Sequence, residues 1–479
     1  MCGIVGIVDA GGVSRSLYYS LFALQHRGQE SAGISTWDGT SFYKHKGMGL
    51  VAEVFNDQTL AELPGNVGVG HVRYPTTGAN LPENTQPFNF RFRDHFFAIA
   101  YNGNLVNSAE LRSGFEADGE IFSTTTDTEI VAATIVHEFR KSGKIEEAII
   151  HCLHVLRGSY SVILMLDGTL YAFRDPMGIK PLCIGTTKTG FIVASESVAI
   201  DTLGGTLLRD VAPGELFRIT EQGFEPMQIA VADRKAHCIF EYIYFARADS
   251  VIEGKLVYDI RQQIGASLHD EAPVKADLVS PVPDSGTSVA IGFSHRSGIP
   301  YLEALMKNRY TARTFIKPSQ KERELAVRLK LNPIIGHIGG KKVVLVDDSI
   351  VRGTTSRHIV ELMKESGAAE VHVRIGSPQI IAPCYLGVDM PTREELIAST
   401  RPVSEVKESI AATSLHHVSL DALVKAIGID RENLCTGCLT GKYPLSIEGE
   451  SCLSRNIDFV VGSYQAKLGS FPPRTGAAK

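Results

Sequence analysis

Short apolar runs alternate with amphipathic patterns along the first half of the chain. The runs predict strands at residues 3–8, 67–72, 96–100, 161–166 and 170–173. Apolar residues at helical spacing predict helices at residues 14–25, 127–139 and 145–156, with Ser14 as the N-cap of the first. Because the turn Asp167-Gly168 joins two of the strands as a hairpin, we expect antiparallel pairing in this half.

The pattern changes after about residue 250, where apolar strands are predicted at residues 278–282, 343–346 and 371–375 and a helix at 356–365. Strands separated by helices are typical of βαβ units and a parallel sheet. We place the boundary between Asp233 and Asp249. The expected domains are residues 2–233 and 234–470, followed by a flexible Pro- and Gly-rich tail at 471–479.

The composition is that of an ordinary globular protein. The chain has 479 residues, 44% hydrophobic and 21% charged, with a net charge of −5. This charge predicts no nucleic-acid partner and no membrane surface, and no apolar run has the length of a transmembrane helix. The modest cysteine content indicates a reducing cytoplasm.

The strongest chemical signal is Cys2, directly after Met1. Removal of Met1 would leave one residue with an α-amine of pKa about 7.7–8.0 and a thiol of pKa about 8.5, and such an amine can take the thiol proton. Arg73, Asn102-Gly103 and Asp127 follow predicted strands or begin a helix. Each has a structural explanation alone: a strand end, a type I′ turn that ends the third strand, and a helix cap.

Five segments of this half resemble the N-terminal-nucleophile glutamine amidotransferases: residues 1–6, 26–33, 70–74, 102–104 and 174–182. The resemblance implies a four-layer αββα sandwich. It also implies that Cys2 is the nucleophile and that Asn102 and Gly103 form the oxyanion hole. By the same resemblance Arg73 and Asp127 would hold glutamine, with Arg27 and Gly28 near its pocket. Since Cys2 directly follows Met1, we expect that no propeptide needs processing.

In the second half, the strand at residues 343–346 runs into Asp347-Asp348 and then a Ser-, Gly- and Thr-containing turn before a helix. Paired acids can hold ribose hydroxyls or Mg²⁺, and the turn can hold a phosphate, although a bare Asp-Asp is more often a solvated strand end. The full run resembles the phosphoribosyl-diphosphate (PRPP) motif of type I phosphoribosyltransferases, a parallel-sheet α/β fold. The resemblance implies PRPP binding by Asp284, Ser285, Gly286, Thr287, Asp347, Asp348, Ser349, Arg352, Gly353, Thr354 and Thr355, with Mg²⁺ near Ser285, Asp347 and Asp348. The basic segment 309–330 resembles the loop that closes over PRPP.

Four cysteines form a third pattern. Cys435 and Cys438 are a C-x-x-C pair, while Cys238 and Cys384 are distant in sequence. Spacing alone leaves open zinc, an iron–sulfur cluster, a redox pair or no function. Their local sequences resemble the four ligand positions of the [4Fe–4S] class of two-domain amidotransferases, and so imply such a cluster.

The two resemblances in this order imply an enzyme that hydrolyses glutamine at Cys2 and transfers ammonia to C1 of PRPP. The products would be 5-phosphoribosylamine, glutamate and pyrophosphate, in the first committed step of de novo purine synthesis. Purine nucleotides as feedback inhibitors and a homotetramer are further implications.

Two alternatives stay open at this point. The chain could be another Cys-nucleophile amidotransferase, such as a sugar-phosphate or asparagine-forming enzyme, against which the 347–355 run argues. It could also be a non-catalytic iron–sulfur regulator, against which the set of Cys2, Arg73 and Asp127 argues.

Overall fold

The structure is a computed structural model that describes residues 1–74, 81–231, 234–308, 331–390, 392–447, 450–452 and 460–462. The predicted closing loop at 309–330 and the predicted tail at 471–479 lie outside these residues. None of the helices in the described part has both the length and the apolar composition that a bilayer crossing requires.

The first half contains two antiparallel sheets and the helices that cover them. Its strands are β1 Gly3–Asp9, β2 Ser31–Trp37, β3 Phe42–Met48, β4 Val67–Arg73, β5 Phe88–Phe92, β6 His95–Leu105, β7 Gly158–Leu166, β8 Thr169–Arg174, β9 Cys183–Thr186, β10 Gly190–Ala194, β11 Thr206–Asp210, β12 Glu215–Thr220 and β13 Gly223–Val231. Its helices are α1 Ser14–Ala23, α2 Val51–Val54, α3 Asp57–Ala61, α4 Ser108–Ala117, α5 Asp127–Ser142, α6 Ile145–Val155 and α7 Val198–Thr202.

The second half contains a parallel sheet, several short strand pairs and further helices. Its strands are β14 His237–Cys238, β15 Val251–Ile252, β16 Lys255–Leu256, β17 Leu278–Pro281, β18 Leu305–Lys307, β19 Leu331–Pro333, β20 Lys342–Asp347, β21 Glu370–Ile375, β22 Ser414–His417, β23 Leu434–Cys435, β24 Lys442–Tyr443, β25 Ser451–Cys452 and β26 Val460–Gly462. Its helices are α8 Val257–Glu271, α9 Thr287–Ser297, α10 Ile335–Ile338, α11 Thr354–Glu365, α12 Ile397–Thr400, α13 Val403–Ser409, α14 Leu420–Ile427 and α15 Gly437–Thr440.

The two sheets of the first half stack face to face. One has the order β11-β9-β10-β1-β4-β2-β3, and the other β26-β13-β12-β8-β7-β6-β5. Strand β1 is buried on both faces: Ile4 and Val8 face the second sheet, whereas Val5 and Ile7 pack under α1 and α7. Helices α5 and α6 cover the other sheet, so the predicted αββα sandwich is confirmed.

Two local predictions of the first half are wrong. Strand β6 does not end at Asn102-Gly103 but continues to Leu105, because both residues pair with β7. At Gly103 any Cβ would lie 2.0 Å from the Ser159 carbonyl oxygen, so this close pairing requires glycine. Ser14 is the first residue of α1 rather than its N-cap, which is Val13 without a side-chain hydrogen bond.

The second half is built on a parallel sheet of order β17-β20-β21-β22, as predicted. In β20, Val344 and Val346 face helices α8 and α9, whereas Val343 and Leu345 face α11. The carboxyl ends of β17 and β20 therefore meet at one edge, where α/β sheets bind ligands. Strand β26 pairs with β13, so residues 460–462 lie on a sheet of the first half.

Candidate active sites

A cavity of about 290 Å³ opens where β1, β4, β6 and α5 converge. The sequence-predicted residues Cys2, Arg73, Gly103 and Asp127 line it together. They arrive there because β1 pairs with β4 and because α5 begins beside the end of β6. The cavity is also lined by Tyr74, Gln86, Tyr101, Thr126 and Thr128, none of which the sequence predicted as site residues.

The backbone and thiol of Cys2 are held by three contacts. Its N–H donates to Asn102 Oδ1 at 3.0 Å, and its carbonyl accepts from Arg27 Nε at 3.0 Å. The thiol donates to the Tyr74 carbonyl at 3.5 Å. Asn102 is fully buried, and its Nδ2 has no hydrogen-bond partner within the described residues. An amide donor beside the thiol is therefore left for an additional acceptor.

The thiol of Cys2 is poised to ionise. Burial raises its pKa, but the charge of the nearby His71, the N-terminal amine and the contact with the Tyr74 carbonyl together outweigh burial and bring the pKa to about 6. His71 is fully buried on β4, two residues before Arg73, and its Nε2 lies 3.2 Å from the Tyr101 carbonyl. Sequence reasoning missed His71, although alternation along β4 places it on the face turned toward the second sheet.

The amine beside this site belongs to Met1, which is still attached. Burial lowers the pKa of the Met1 amine to about 5. If Met1 is removed, the nitrogen of Cys2 becomes the terminal amine, and it already lies 3.0 Å from Asn102 Oδ1.

Arg73 and Asp127 supply opposite charges to the cavity wall. Asp127 is the first residue of α5, where the helix dipole favours a carboxylate, and its Oδ2 accepts the Leu105 N–H at 2.8 Å. Burial nevertheless raises the pKa of Asp127 to about 6. Burial lowers the pKa of Arg73.

Arg27 and Gly28 lie behind the cavity rather than on its wall. Arg27 is fully buried, and it pairs with Glu196 and with both oxygens of Glu241 at 2.7 and 3.0 Å. These ion pairs raise the pKa of Arg27 in spite of burial. Gly28 packs on the end of β4, where a Cβ would lie 2.6 Å from the Val72 backbone. The Arg27–Glu241 pair joins the first half to the second directly behind Cys2.

A second, open cavity of about 1310 Å³ lies at the carboxyl ends of β17 and β20. The structure brings together on its wall eight sequence-predicted residues: Ser285, Asp347, Asp348, Ser349, Arg352, Gly353, Thr354 and Thr355. Gly353 has φ 78° immediately before α11, which turns the backbone into the helix N-terminus. Burial raises the pKa of both acids, and the charge of Asp348 raises that of Asp347 further. Adjacent buried carboxyls of this kind suit a hard cation such as Mg²⁺.

Three predicted PRPP residues lie next to this wall rather than on it. Asp284 is exposed and forms an ion pair with Lys307 at 2.5 Å. Gly286 precedes α9, and Thr287 is its first residue.

Tyr74 borders both cavities. Its carbonyl accepts from the Cys2 thiol, and its hydroxyl donates to Asp389 Oδ2 at 3.0 Å. Asp389 and other lining residues of the second cavity, including His26, Phe240 and Met390, were not predicted as site residues.

The four predicted cysteine ligands converge where the two halves meet. Cys238 of β14 lies opposite Cys435 of β23, Cys438 lies in α15, and all four are free thiols. Cys384 Sγ accepts the N–H groups of Leu386 and Val388 at 3.4 Å. The pKa of Cys238 is raised to about 11, mainly by burial, which outweighs the lowering effect of the Lys180 charge.

These four thiols fit a cluster better than a single ion. Within the described residues, no three His, Cys, Asp or Glu side chains surround one ion position. The four cysteines nevertheless interact with one another, since Cys384, Cys435 and Cys238 all raise the pKa of Cys438. Four interacting thiols, with N–H donors to one of the sulfurs, are the kind of ligand set that a [4Fe–4S] cluster uses.

The fold and the two cavities define a glutamine amidotransferase domain joined to a parallel-sheet phosphoribosyltransferase domain. A family described as "Glutamine amidotransferase domain" matches residues 71–202. The chain is 50% identical to the amidophosphoribosyltransferase of Methanothermobacter thermautotrophicus over 94% of this chain and 95% of that protein. It is also 44% identical to the amidophosphoribosyltransferase of Bacillus subtilis, over 94% of this chain and 96% of that protein.

Solved structures agree. A B. subtilis glutamine PRPP amidotransferase complexed with ADP and GMP matches with a TM-score of 0.88 at 44% identity, covering 94% of this chain and 99% of that one. The structure described as the allosteric regulatory enzyme of purine biosynthesis matches with a TM-score of 0.89 at 45% identity, covering 94% and 97%. The chain belongs to the amidophosphoribosyltransferase family. The predicted fold and the predicted activity, the first step of purine biosynthesis, are confirmed.

Proposed function

We propose that Cys2 hydrolyses glutamine in the first cavity and that the ammonia released there attacks PRPP in the second. The observation that carries this assignment is the shared wall at Tyr74. One cavity holds Cys2, Arg73 and Asp127, the other holds the paired acids and the N-terminus of α11, and Tyr74 borders both. The predicted domains at residues 2–233 and 234–470 are part of the proposal.

Glutamine binding uses the two charges of the first cavity. The Arg73 guanidinium donates two hydrogen bonds to the α-carboxylate of glutamine, and the Asp127 carboxylate accepts a hydrogen bond from its α-ammonium. With both ends held, the side-chain amide points toward Cys2.

Hydrolysis begins when the Cys2 thiolate attacks the amide carbon. Asn102 Nδ2, which has no partner within the described residues, and the backbone at Gly103 donate to the oxyanion. The α-amine exposed by removal of Met1 takes the thiol proton and returns it to the departing nitrogen, so that ammonia leaves. Water then cleaves the thioester, which releases glutamate and restores the thiol.

In the second cavity ammonia displaces pyrophosphate from C1 of PRPP, giving 5-phosphoribosylamine. The backbone N–H groups around Gly353 and the N-terminus of α11 hold the 5-phosphate. Ser285, Asp347 and Asp348 would hold Mg²⁺, which when bound neutralises charge on the diphosphate. Asp284, Gly286 and Thr287 complete the proposed pyrophosphate loop beside them. Closure by the segment 309–330 stays a prediction, since that segment lies outside the described residues.

A [4Fe–4S] cluster held by Cys238, Cys384, Cys435 and Cys438 is the second part of the proposal. Its support is the convergence of these four thiols and the two N–H donors to Cys384. When bound, the cluster would cross-link β14, β23, α15 and the loop after Cys384, and so brace the contact between the halves.

Nucleotide control is the third part. Because the B. subtilis relative was solved with ADP and GMP, we propose that purine nucleotides inhibit this chain as well. The homotetramer and the cytoplasmic location stay predictions.

The Cys2→Ala variant tests whether the two reactions occur at separate sites. We expect this variant to lose glutamine-dependent formation of phosphoribosylamine and to keep turnover with added ammonia and PRPP, because the second cavity is untouched. Cys152→Ala is the matched control, since Cys152 is buried in the core behind α6, away from both cavities. Loss of both activities in Cys2→Ala alone, with its thermal stability unchanged, would overturn the two-site assignment.

A further inference from the structure

Lys180 is a buried cation without an acidic partner. It is fully buried on the loop between β8 and β9, and its Nζ contacts Met1 Sδ at 2.8 Å. Among the described residues no carboxylate forms an ion pair with it. Lysine is almost never fully buried unless it is paired, because an uncompensated ammonium is costly to remove from water. A thioether is a weak acceptor, and it leaves the site when Met1 is removed.

The acids of this region are already engaged elsewhere. Glu241 pairs with Arg27, and Glu253 pairs with Arg174 at 2.8 Å. Asp175 accepts the backbone N–H groups of Met177, Ile179 and Tyr160. The charge of Lys180 must therefore be balanced by something other than a neighbouring carboxylate.

Two of the four predicted cluster ligands, Cys238 and Cys384, belong to segments that lie against Lys180. The Cys238 N–H donates to the carbonyl of Ile179, the residue before Lys180, at 3.1 Å. On the other side, a Cβ at Gly387, three residues after Cys384, would lie 3.1 Å from Lys180 Nζ.

We propose that Lys180 is the countercharge of an iron–sulfur cluster held by Cys238, Cys384, Cys435 and Cys438. The inference rests on the cluster of the proposed function. An iron–sulfur core bound by four thiolates has a net negative charge. That charge and the positive charge of the buried ammonium would therefore compensate each other. Lys180 is thus a positioning residue for the cluster and does not touch either substrate.

This arrangement has a consequence for reduction of the cluster. Reduction adds one electron to the core and makes it more negative, with no bond broken. A fixed cation beside the core stabilises the reduced form more than the oxidised form, so it raises the reduction potential. Removing the charge should make the cluster harder to reduce.

The test compares Lys180→Gln with Lys180→Arg in full-length protein purified without oxygen. The readout is the midpoint potential of the cluster in a redox titration followed by EPR. In Lys180→Gln we expect the ratio of reduced to oxidised cluster at a fixed potential to fall at least tenfold, a midpoint lower by about 59 mV for a one-electron couple. Lys180→Arg keeps the charge and should stay near the wild type. Lys442→Gln is the control, because Lys442 carries an exposed charge four residues after Cys438.

Iron and sulfide content is measured on the same samples. Loss of the cluster from Lys180→Gln but not from Lys180→Arg would also support the countercharge role. An unchanged potential in Lys180→Gln would overturn it, and so would loss of the cluster from both variants, since that would indicate packing rather than charge. Wild-type protein without iron, yet active with ammonia and PRPP, would overturn the cluster and this inference while leaving the proposed reaction intact.

Discussion

His71 is the group whose removal should most change the chemistry of Cys2. It is fully buried, its ring nitrogen contacts the Tyr101 carbonyl at 3.2 Å, and its charge lowers the pKa of the Cys2 thiol. His71→Asn keeps an N–H donor for Tyr101 and removes the basic nitrogen. The substitution therefore separates the electrostatic effect on Cys2 from the packing of β4.

The size of the effect follows from the thiol pKa. A fall from 9.0 to about 6 is worth about 4 kcal/mol in favour of the thiolate. At pH 7 the thiolate fraction would drop from about nine-tenths to about one in a hundred if His71→Asn returned the pKa to about 9. A thiolate of higher pKa is more nucleophilic, with a Brønsted slope of about 0.4–0.5, so the alkylation rate at pH 7 should fall only about three- to sixfold.

The assay is the rate of Cys2 alkylation by iodoacetamide between pH 5 and 10, followed on the N-terminal peptide by mass spectrometry. The same spectra establish whether Met1 is present, because its removal places an amine beside the thiol. We expect the midpoint of the profile to move upward from about 6, because the charge of His71 no longer offsets the burial of the thiol. His151→Asn on α6 is the control. If the profile of His71→Asn overlaid that of the wild type at equal thermal stability, the assigned role of His71 would be refuted.

Two further predictions concern the charges around this site. Asp127→Asn should raise the KM for glutamine at least tenfold and leave ammonia-dependent turnover intact; in the wild type, glutamine kcat/KM should fall below about pH 6, because protonation removes the charge that holds the α-ammonium. An unaltered KM would contradict the proposed contact between Asp127 and the α-ammonium of glutamine. Glu241→Gln should lower the free energy of unfolding by about 3 kcal/mol in denaturant titrations, because it leaves the buried Arg27 charge with Glu196 as its remaining acidic partner. Arg296→Ala, which breaks the exposed pair with Asp270, should cost much less, because solvent screens that pair, and equal losses in the two variants would contradict this account.

The strands and most helices were predictable because their signals are local. The apolar run of β1 and the hairpin turn at Asp167-Gly168 lie where the pattern predicted them. The same local reasoning failed at Asn102-Gly103. Asn-Gly is a turn signal in a short peptide, but pairing with β7 over the full length of β6 outweighs that preference.

The residues around the first cavity were also predicted only in part. Cys2, Arg73, Gly103 and Asp127 were predicted and do line one cavity. His71 was missed, because its effect on Cys2 depends on the pairing of β4 with β1 and on the second sheet behind them.

The sequence by itself determined the order of the two domains, the nucleophile at the start of the chain and the acids at the end of β20. Each of these features is encoded by a short motif of residues that are adjacent in the sequence. Only the tertiary structure decided that Arg27 holds Cys2 from behind, that Tyr74 borders both cavities and that Lys180 is buried against Met1 beside the segment of Cys384. Burial and strand register bring together residues up to hundreds of positions apart, and no local pattern encodes a contact of that range.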